Sequence, residues 1–292
     1  MNSGVIADKG IVTLCDEHYF DGLLMLHRSV RESFPVPVAC YDLGLTESQK
    51  VTAASLDHLL LLQLPDDPLL HRIRNVMGDA PALAKAHKRV WPLWICPILI
   101  REAPFRDVFW MDCDLVVLRN LSQLFAALEE GPVFTPENKA PALTPNKPRL
   151  YELLTIARSF DPQSPTVNAG VSGWRKDRDA AAINAYLLPV SRATEDVEVR
   201  SAISWHDQGA LIWAIQHLGL EHRVFASNIW NLCVDNSPVA GRAIPWDESF
   251  LETLRGEVPD ANVLHWNGSV PPWTTQTAYE PEPQHRTFRA PE

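Results

Sequence analysis

The chain has 292 residues, of which 46% are hydrophobic, 21% charged and 9% aromatic, a globular balance that excludes a disordered, collagenous or coiled-coil protein. Twenty-six lysines and arginines against 36 aspartates and glutamates leave a net charge of −10, and without a basic cluster the chain lacks the electrostatic footprint of a nucleic-acid binder. No apolar run approaches the roughly 20 residues of a membrane span, Met1–Gly10 does not read as a signal peptide, and five scattered cysteines without CxxC spacing suit the reduced thiols of a cytoplasmic protein.

In chain order, Gly10–Cys15 is a β-branched, apolar run that predicts a first strand, followed by a helix over Tyr19–Val30. A second strand is expected at Val36–Leu43, a helix at Thr46–Leu56 and a third strand at Leu59–Leu64. Alternation of this kind implies an α/β fold with a mainly parallel sheet. Ala82–Arg101 is apolar at helical spacing but carries Pro92 and Pro97, which predicts a broken helix. Val108–Met111 is the strongest strand and runs into Asp112-Cys113-Asp114, with a further apolar run at Leu115–Leu118. Later strands are expected at Pro132–Pro136, Val167–Trp174, Val224–Trp230 and Asn262–Trp266, and helices near Pro148–Arg158, Asp177–Leu188 and Asp207–Leu218.

The Asp112/Asp114 pair admits three readings. Carboxylates at i and i+2 of an extended strand point to one side, so one divalent cation reaches both. Placed after a buried parallel strand, they lie where open α/β sheets bind ligands, and a metal site for a nucleotide diphosphate is the first reading. The second is a phosphatase, because the run resembles the nucleophile motif of the haloacid dehalogenase type. That family places its DxD near the N-terminus and adds a late acidic motif that this chain does not carry downstream. The third is a surface turn.

Five segments in order resemble nucleotide-sugar glycosyltransferases of the GT-A fold, in the retaining group that includes glycogenin and bacterial lipopolysaccharide galactosyl- and glucosyltransferases. They are TLCDEHY (13–19), FWMDCD (109–114), NAGV (168–171), WHDQ (205–208) and HWNGSVPPW (265–273). The resemblance implies one GT-A domain over 1–292, with a nucleotide-sugar-binding half at 10–118 and an acceptor-binding half at 119–292. It also implies transfer of a hexose from a uridine diphosphate sugar to an acceptor hydroxyl with retention of configuration. The acceptor is left open among sugars, lipid-linked glycans, proteins and small molecules.

By the same resemblance, Asp16 and Tyr19 hold the nucleotide together with Asp112. A carboxylate accepts from an imide N–H and an aromatic ring stacks on a base. Asp112, Asp114 and His265 hold Mn2+ or Mg2+, a mixed oxygen and nitrogen set that suits manganese better. Asn168, Gly170 and Asp207 lie near the donor sugar, and Gln208 and Asp207 beside its anomeric carbon. Gly268 and Lys88 face the diphosphate. Asp16 and Asp207 also read as helix caps, the latter in a capping box with Ser204.

Two positions depart from the family pattern, Pro271 and Cys96, where relatives carry lysine. The phosphate cations would then come from Lys85, Lys88 or Arg89, and the alternatives are a phosphatase or nucleotide-sugar hydrolase, or a catalytically silent binding homologue. Of the ten tryptophans, Trp230, Trp246 and Trp273 are candidates for an acceptor groove.

Overall fold

A computed structural model describes residues 6–78, 91–137, 146–154, 161–242, 244 and 247–266. The first half runs β1 (Ala7–Cys15), α1 (Phe20–Ser33), β2 (Val38–Asp42), α2 (Glu47–Ala54), β3 (Leu59–Leu62), α3 (Pro68–Met77), α4 (Cys96–Glu102), β4 (Phe105–Met111) and β5 (Leu115–Val117). There follow α5 (Ser122–Ala127), β6 (Val133–Pro136), α6 (Pro148–Leu153), β7 (Val167–Arg175), α7 (Ala180–Glu195), α8 (Val197–Ala202), α9 (Asp207–Leu218), β8 (Leu232–Cys233), α10 (Phe250–Glu257) and β9 (Val263–His265).

Local chemistry accounts for many of these boundaries. Thr46 and Gln49 form a reciprocal capping box at the start of α2, and Asp67 caps α3 ahead of Pro68 at its first turn. Of the segment expected as a broken helix, residues 82–90 lie outside the described residues; in the remainder Trp91–Trp94 is a 3-10 turn, and α4 begins after it with Pro97 in its first turn. The strand expected at Val224–Trp230 is not formed. Val224 makes a single bridge to Phe134, after which a 3-10 turn at Asn228–Trp230, capped by Ser227, redirects the chain into β8.

Six strands form one sheet in the order β3-β2-β1-β4-β7-β6. The pairs β2·β3, β1·β2 and β1·β4 are parallel, whereas β4·β7 and β6·β7 are antiparallel. The chain leaves β1 toward β2 and β3, then returns on the other side of β1 as β4. A crevice opens at such a switch point beyond the carboxyl ends of the two diverging strands, here at Asp16 after β1 and Asp112 after β4. A second sheet of three strands, β5-β9-β8, packs beside the first. Its strand β9 comes from the far end of the described chain and pairs antiparallel with β5.

Apolar side chains fill both faces of the large sheet. One cluster joins α3, α4, α7 and α9 to Val108, Trp110 and Trp174, and a second joins α1 and α5 to Ile11, Phe109 and Met111. A third cluster seats α10 against the small sheet through Val116, Leu264 and Trp266. None of the five cysteines forms a disulfide. Among the described residues no helix is long and apolar enough to cross a membrane.

Candidate functional site

A cleft of about 460 Å³ opens at the switch point. Nine of the residues singled out in the sequence line it together: Asp16, Tyr19, Asp112, Asp114, Asn168, Gly170, Asp207, Gln208 and His265. Gly268 and Lys88 lie outside the described residues, as do Lys85, Arg89 and Pro271. The lining is acidic: Asp16, Asp112, Asp114, Glu137 and Asp207 contribute carboxylates, while no described lining residue is lysine or arginine. A diphosphate entering this field needs a cation for company.

Asp112 and Asp114 do not sit on an extended strand. Large-sheet pairing ends with Met111, and the chain turns, Leu115 donating its N–H to the Asp112 carbonyl at 3.3 Å, before β5 enters the small sheet. The pair therefore spans the junction of the two sheets. The Cys113 thiol between them meets Cys15 at the end of β1, and both carboxylates line the cleft. Trp110 steadies Asp112 by donating its indole N–H to Oδ1 at 2.9 Å.

His265 completes the group from β9. Its Nε2 lies 3.2 Å from Asp114 Oδ1 and 3.7 Å from Asp112 Oδ2, and one ligand atom from each of the three residues falls within 4.8 Å of the others. Burial works against a charged imidazole there, but the Asp114 and Asp112 carboxylates outweigh it and raise the His265 pKa. Two carboxylate oxygens and a ring nitrogen converging on one point are a donor set for a divalent cation.

Gly170 is needed for this convergence. A Cβ at that position would stand 2.5 Å from His265 Cε1 and 2.9 Å from both Asp112 Oδ2 and Asn168 Oδ1, so the missing side chain is space occupied by the neighbouring site residues. The resemblance placed Gly170 near the donor sugar; the space beside its Cα is taken by these site residues.

The N-cap of α1 is Tyr19, with no side-chain cap bond, so Asp16 forms a turn ahead of the helix rather than its cap. Its Oδ1 accepts the backbone N–H groups of His18 and Tyr19 at 3.0 and 3.2 Å, ordering the entry to α1, and the residue also faces the cleft. The capping box expected at Ser204 and Asp207 is not formed. Instead Trp205 and His206 both take left-handed backbone angles, φ 57° and 56°, an uncommon conformation for such side chains that costs on the order of 1–3 kcal/mol per residue. Asn146 clamps this turn, accepting from Ser204 N–H at 3.2 Å and donating to the Gly209 carbonyl at 2.8 Å.

The turn presents Asp207 and Gln208 at the cleft floor. Burial, reinforced by Asp112, pushes the Asp207 carboxyl well above the usual carboxylate range. Gln208 is anchored at both ends of its amide: Nε2 donates to Glu137 Oε2 at 3.1 Å and Oε1 accepts from Ala169 N–H at 3.3 Å.

Glu137, Asn231 and Asn146 escaped the sequence reading because nothing in their local sequence marks them. Cys96, read from the sequence as a departure from the family pattern, is buried in the core at the start of α4. Trp230 is also buried, against Phe225, and does not line the cleft, while Trp246 and Trp273 lie outside the described residues. Among the described tryptophans Trp110 and Trp205 line it, and Trp205 is 47% exposed.

No protein-family model matches the chain, and no curated protein matches it in sequence. Solved structures do. The galactosyltransferase LgtC in complex with donor and acceptor sugar analogues matches with a TM-score of 0.59 and 15% identity over 90% of this chain and 89% of that one. The bifunctional glycosyltransferase WbbM, in its apo form, matches with 0.54 and 15% over 94% of this chain and 47% of that one. Mouse xyloside xylosyltransferase 1 matches with 0.50 and 12% over 89% and 98%. The fold of the chain is thus the GT-A fold of glycosyltransferases.

Proposed function

We propose that this protein is a divalent-cation-dependent glycosyltransferase that moves a hexose from a uridine diphosphate sugar to an acceptor hydroxyl with retention of configuration. The observation that carries the reading is the Asp112, Asp114 and His265 cluster, at the switch point of a GT-A fold, in a cleft whose described lining has carboxylates but neither lysine nor arginine. Support also comes from LgtC, which has been crystallised with donor and acceptor sugar analogues and as an active-site variant.

Asp112, Asp114 and His265 would hold Mn2+ or Mg2+, which supplies Lewis-acid neutralisation of the leaving diphosphate. Tyr19 and the cleft-facing side of Asp16 would hold the uracil and ribose. Asn168, Asp207 and Gln208 would surround the sugar, Gln208 pre-organised by its two anchors. The C1–O bond to the diphosphate breaks, the acceptor oxygen bonds to C1 from the same face, and its proton passes to a diphosphate oxygen. Glu137 Oε2 accepts from the Asn168 and Gln208 amides at 3.3 and 3.1 Å. Both amides are thus held on one carboxylate oxygen, which makes Glu137 a positioning group for Asn168 and Gln208.

A thermal-shift titration with uridine diphosphate, with and without Mn2+, against guanosine, cytidine and thymidine diphosphates tests the reading. Mn2+-dependent stabilisation by the uridine nucleotide is expected, reaching about 2.7 kcal/mol at a hundredfold excess over Kd. Release of inorganic phosphate from the nucleotide would favour a phosphatase instead, and no shift with any nucleotide would contradict a donor site.

A further inference from the structure

His265 Nδ1 lies 2.9 Å from Asn231 Oδ1, and Asn231 is completely buried. Which end of the Asn231 amide meets the ring follows from the groups on its other side. Thr135 Oγ1 donates to the Val171 carbonyl at 3.1 Å, so toward Asn231, 3.0 Å away, it is an acceptor. Asn168 Nδ2 donates to Glu137, and Asn168 Oδ1 takes the Gly170 N–H at 2.9 Å, so that oxygen, 2.9 Å from Asn231, is an acceptor as well.

Two acceptors on one side require the NH2 group of Asn231 there, and its carbonyl oxygen therefore faces His265. An oxygen against Nδ1 requires the ring proton on that nitrogen. Asp114 Oδ1 stands 3.2 Å from Nε2, so the metal-free ring holds a second proton there; once that proton leaves, Nε2 is a lone pair aimed at the gap beside Asp114 and Asp112.

We propose that Asn231 is a positioning residue that sets the tautomer of His265 and joins that ring to Asn168 through one amide. The proposal rests on the metal-site reading above for its functional meaning, and on the hydrogen-bond directions alone for its structural content. Partners of this kind behind a metal-binding histidine fix ring orientation and contribute about 10- to 100-fold to metal affinity. The site is thereby linked across both sheets: Asn231 precedes β8 in the small sheet, and its NH2 grips Thr135 and Asn168 in the large one.

The test has two arms. Nitrogen-15 NMR of the metal-free wild type at alkaline pH, with His265 assigned by comparison with His265→Gln, reads the tautomer directly. A proton on Nδ1 is expected, and a neutral ring protonated on Nε2 overturns the proposal. The second arm titrates Mn2+ alone and follows the loss of the free-ion electron paramagnetic resonance signal. Asn231→Leu should weaken Mn2+ binding about 10- to 100-fold, while Asn231→Asp, which keeps an acceptor for the Nδ1 proton but loses the donors to Thr135 and Asn168, should weaken it less.

Unchanged affinity in Asn231→Leu, or equal losses in two variants that both fold, overturns the proposal. Absence of Mn2+ binding in the wild type would instead remove the metal reading of the previous section, and the tautomer measurement would decide the role of Asn231 by itself.

Discussion

The two sheets reach the cleft by different routes. The parallel part of the large sheet is assembled from neighbouring strand and helix units, and it delivers Asp16 and Asp112 at the ends of adjacent strands, β1 and β4. The small sheet is assembled across the chain: β5 pairs with β9, bringing Leu115 opposite His265, 150 positions apart. The first route sets a crevice and the second completes its donor set. Asp112 and Asp114 are where the routes meet, one carboxylate at the end of a large-sheet strand and the other at the start of a small-sheet strand.

The most damaging change to this junction is Asp114→Asn, which keeps the shape of the turn and removes a charged ligand. Loss of Lewis-acid stabilisation worth several kcal/mol, at 1.36 kcal/mol per tenfold, should lower cation-dependent transfer by about two to three orders of magnitude. The thermal unfolding temperature should change little. Wild-type turnover in this variant would show that the junction is structural only, and steady-state assays with a uridine diphosphate sugar measure it.

Gly170→Ala strikes the large-sheet side of the junction. The new Cβ would meet His265, Asp112 and Asn168 at 2.5–2.9 Å, and overpacking of this kind costs about 1–3 kcal/mol. A lowered unfolding temperature with weakened Mn2+ binding is expected. A variant that is less stable yet binds the ion normally would mean that the close approach is absorbed elsewhere.

The smallest effect comes from the small-sheet side, by titration. The folded pKa of His265 is raised above its unfolded value, since Asp114 and Asp112 overcome the burial that opposes its charge. In the metal-free protein this contribution is fully present below the unfolded pKa of about 6.5 and is lost as pH rises through the folded value. The stability difference between wild type and His265→Gln should therefore shrink from pH 6 upward, read by thermal unfolding across pH 6–9. Mn2+ should bind more tightly over the same interval, because the ion competes with the imidazole proton. A difference that grows with pH would reverse the assigned sign.

Legibility differed between the routes in the same way. The sequence reading placed strands overlapping β1, β2, β3 and β4 and a helix matching α9, because apolar periodicity and cap residues act over a few positions. It overlooked α3, α5, α8 and α10, three of them with eight residues or fewer, too short to display a helical stripe. It expected a strand where Ser227 starts a turn. Within the site, Asp112, Asp114 and His265 were picked out by motif, but the extended geometry assumed for the carboxylates is a turn between sheets, and the space left by Gly170 belongs to its neighbours in the site.

Local patterns in the chain suffice for the class of fold and the types of residue available to the cleft: alternating strands and helices, a carboxylate pair after the strongest strand, and a late histidine. How these residues act together depends on contacts between distant segments. Asn231 and Glu137 carry no local signature, and Asn231 lies 63 positions from Asn168 and 34 from His265. Hydrogen-bond direction depends on which donor and acceptor the fold brings within about 3 Å. That proximity is set by the packing of one sheet against the other, which no local pattern encodes.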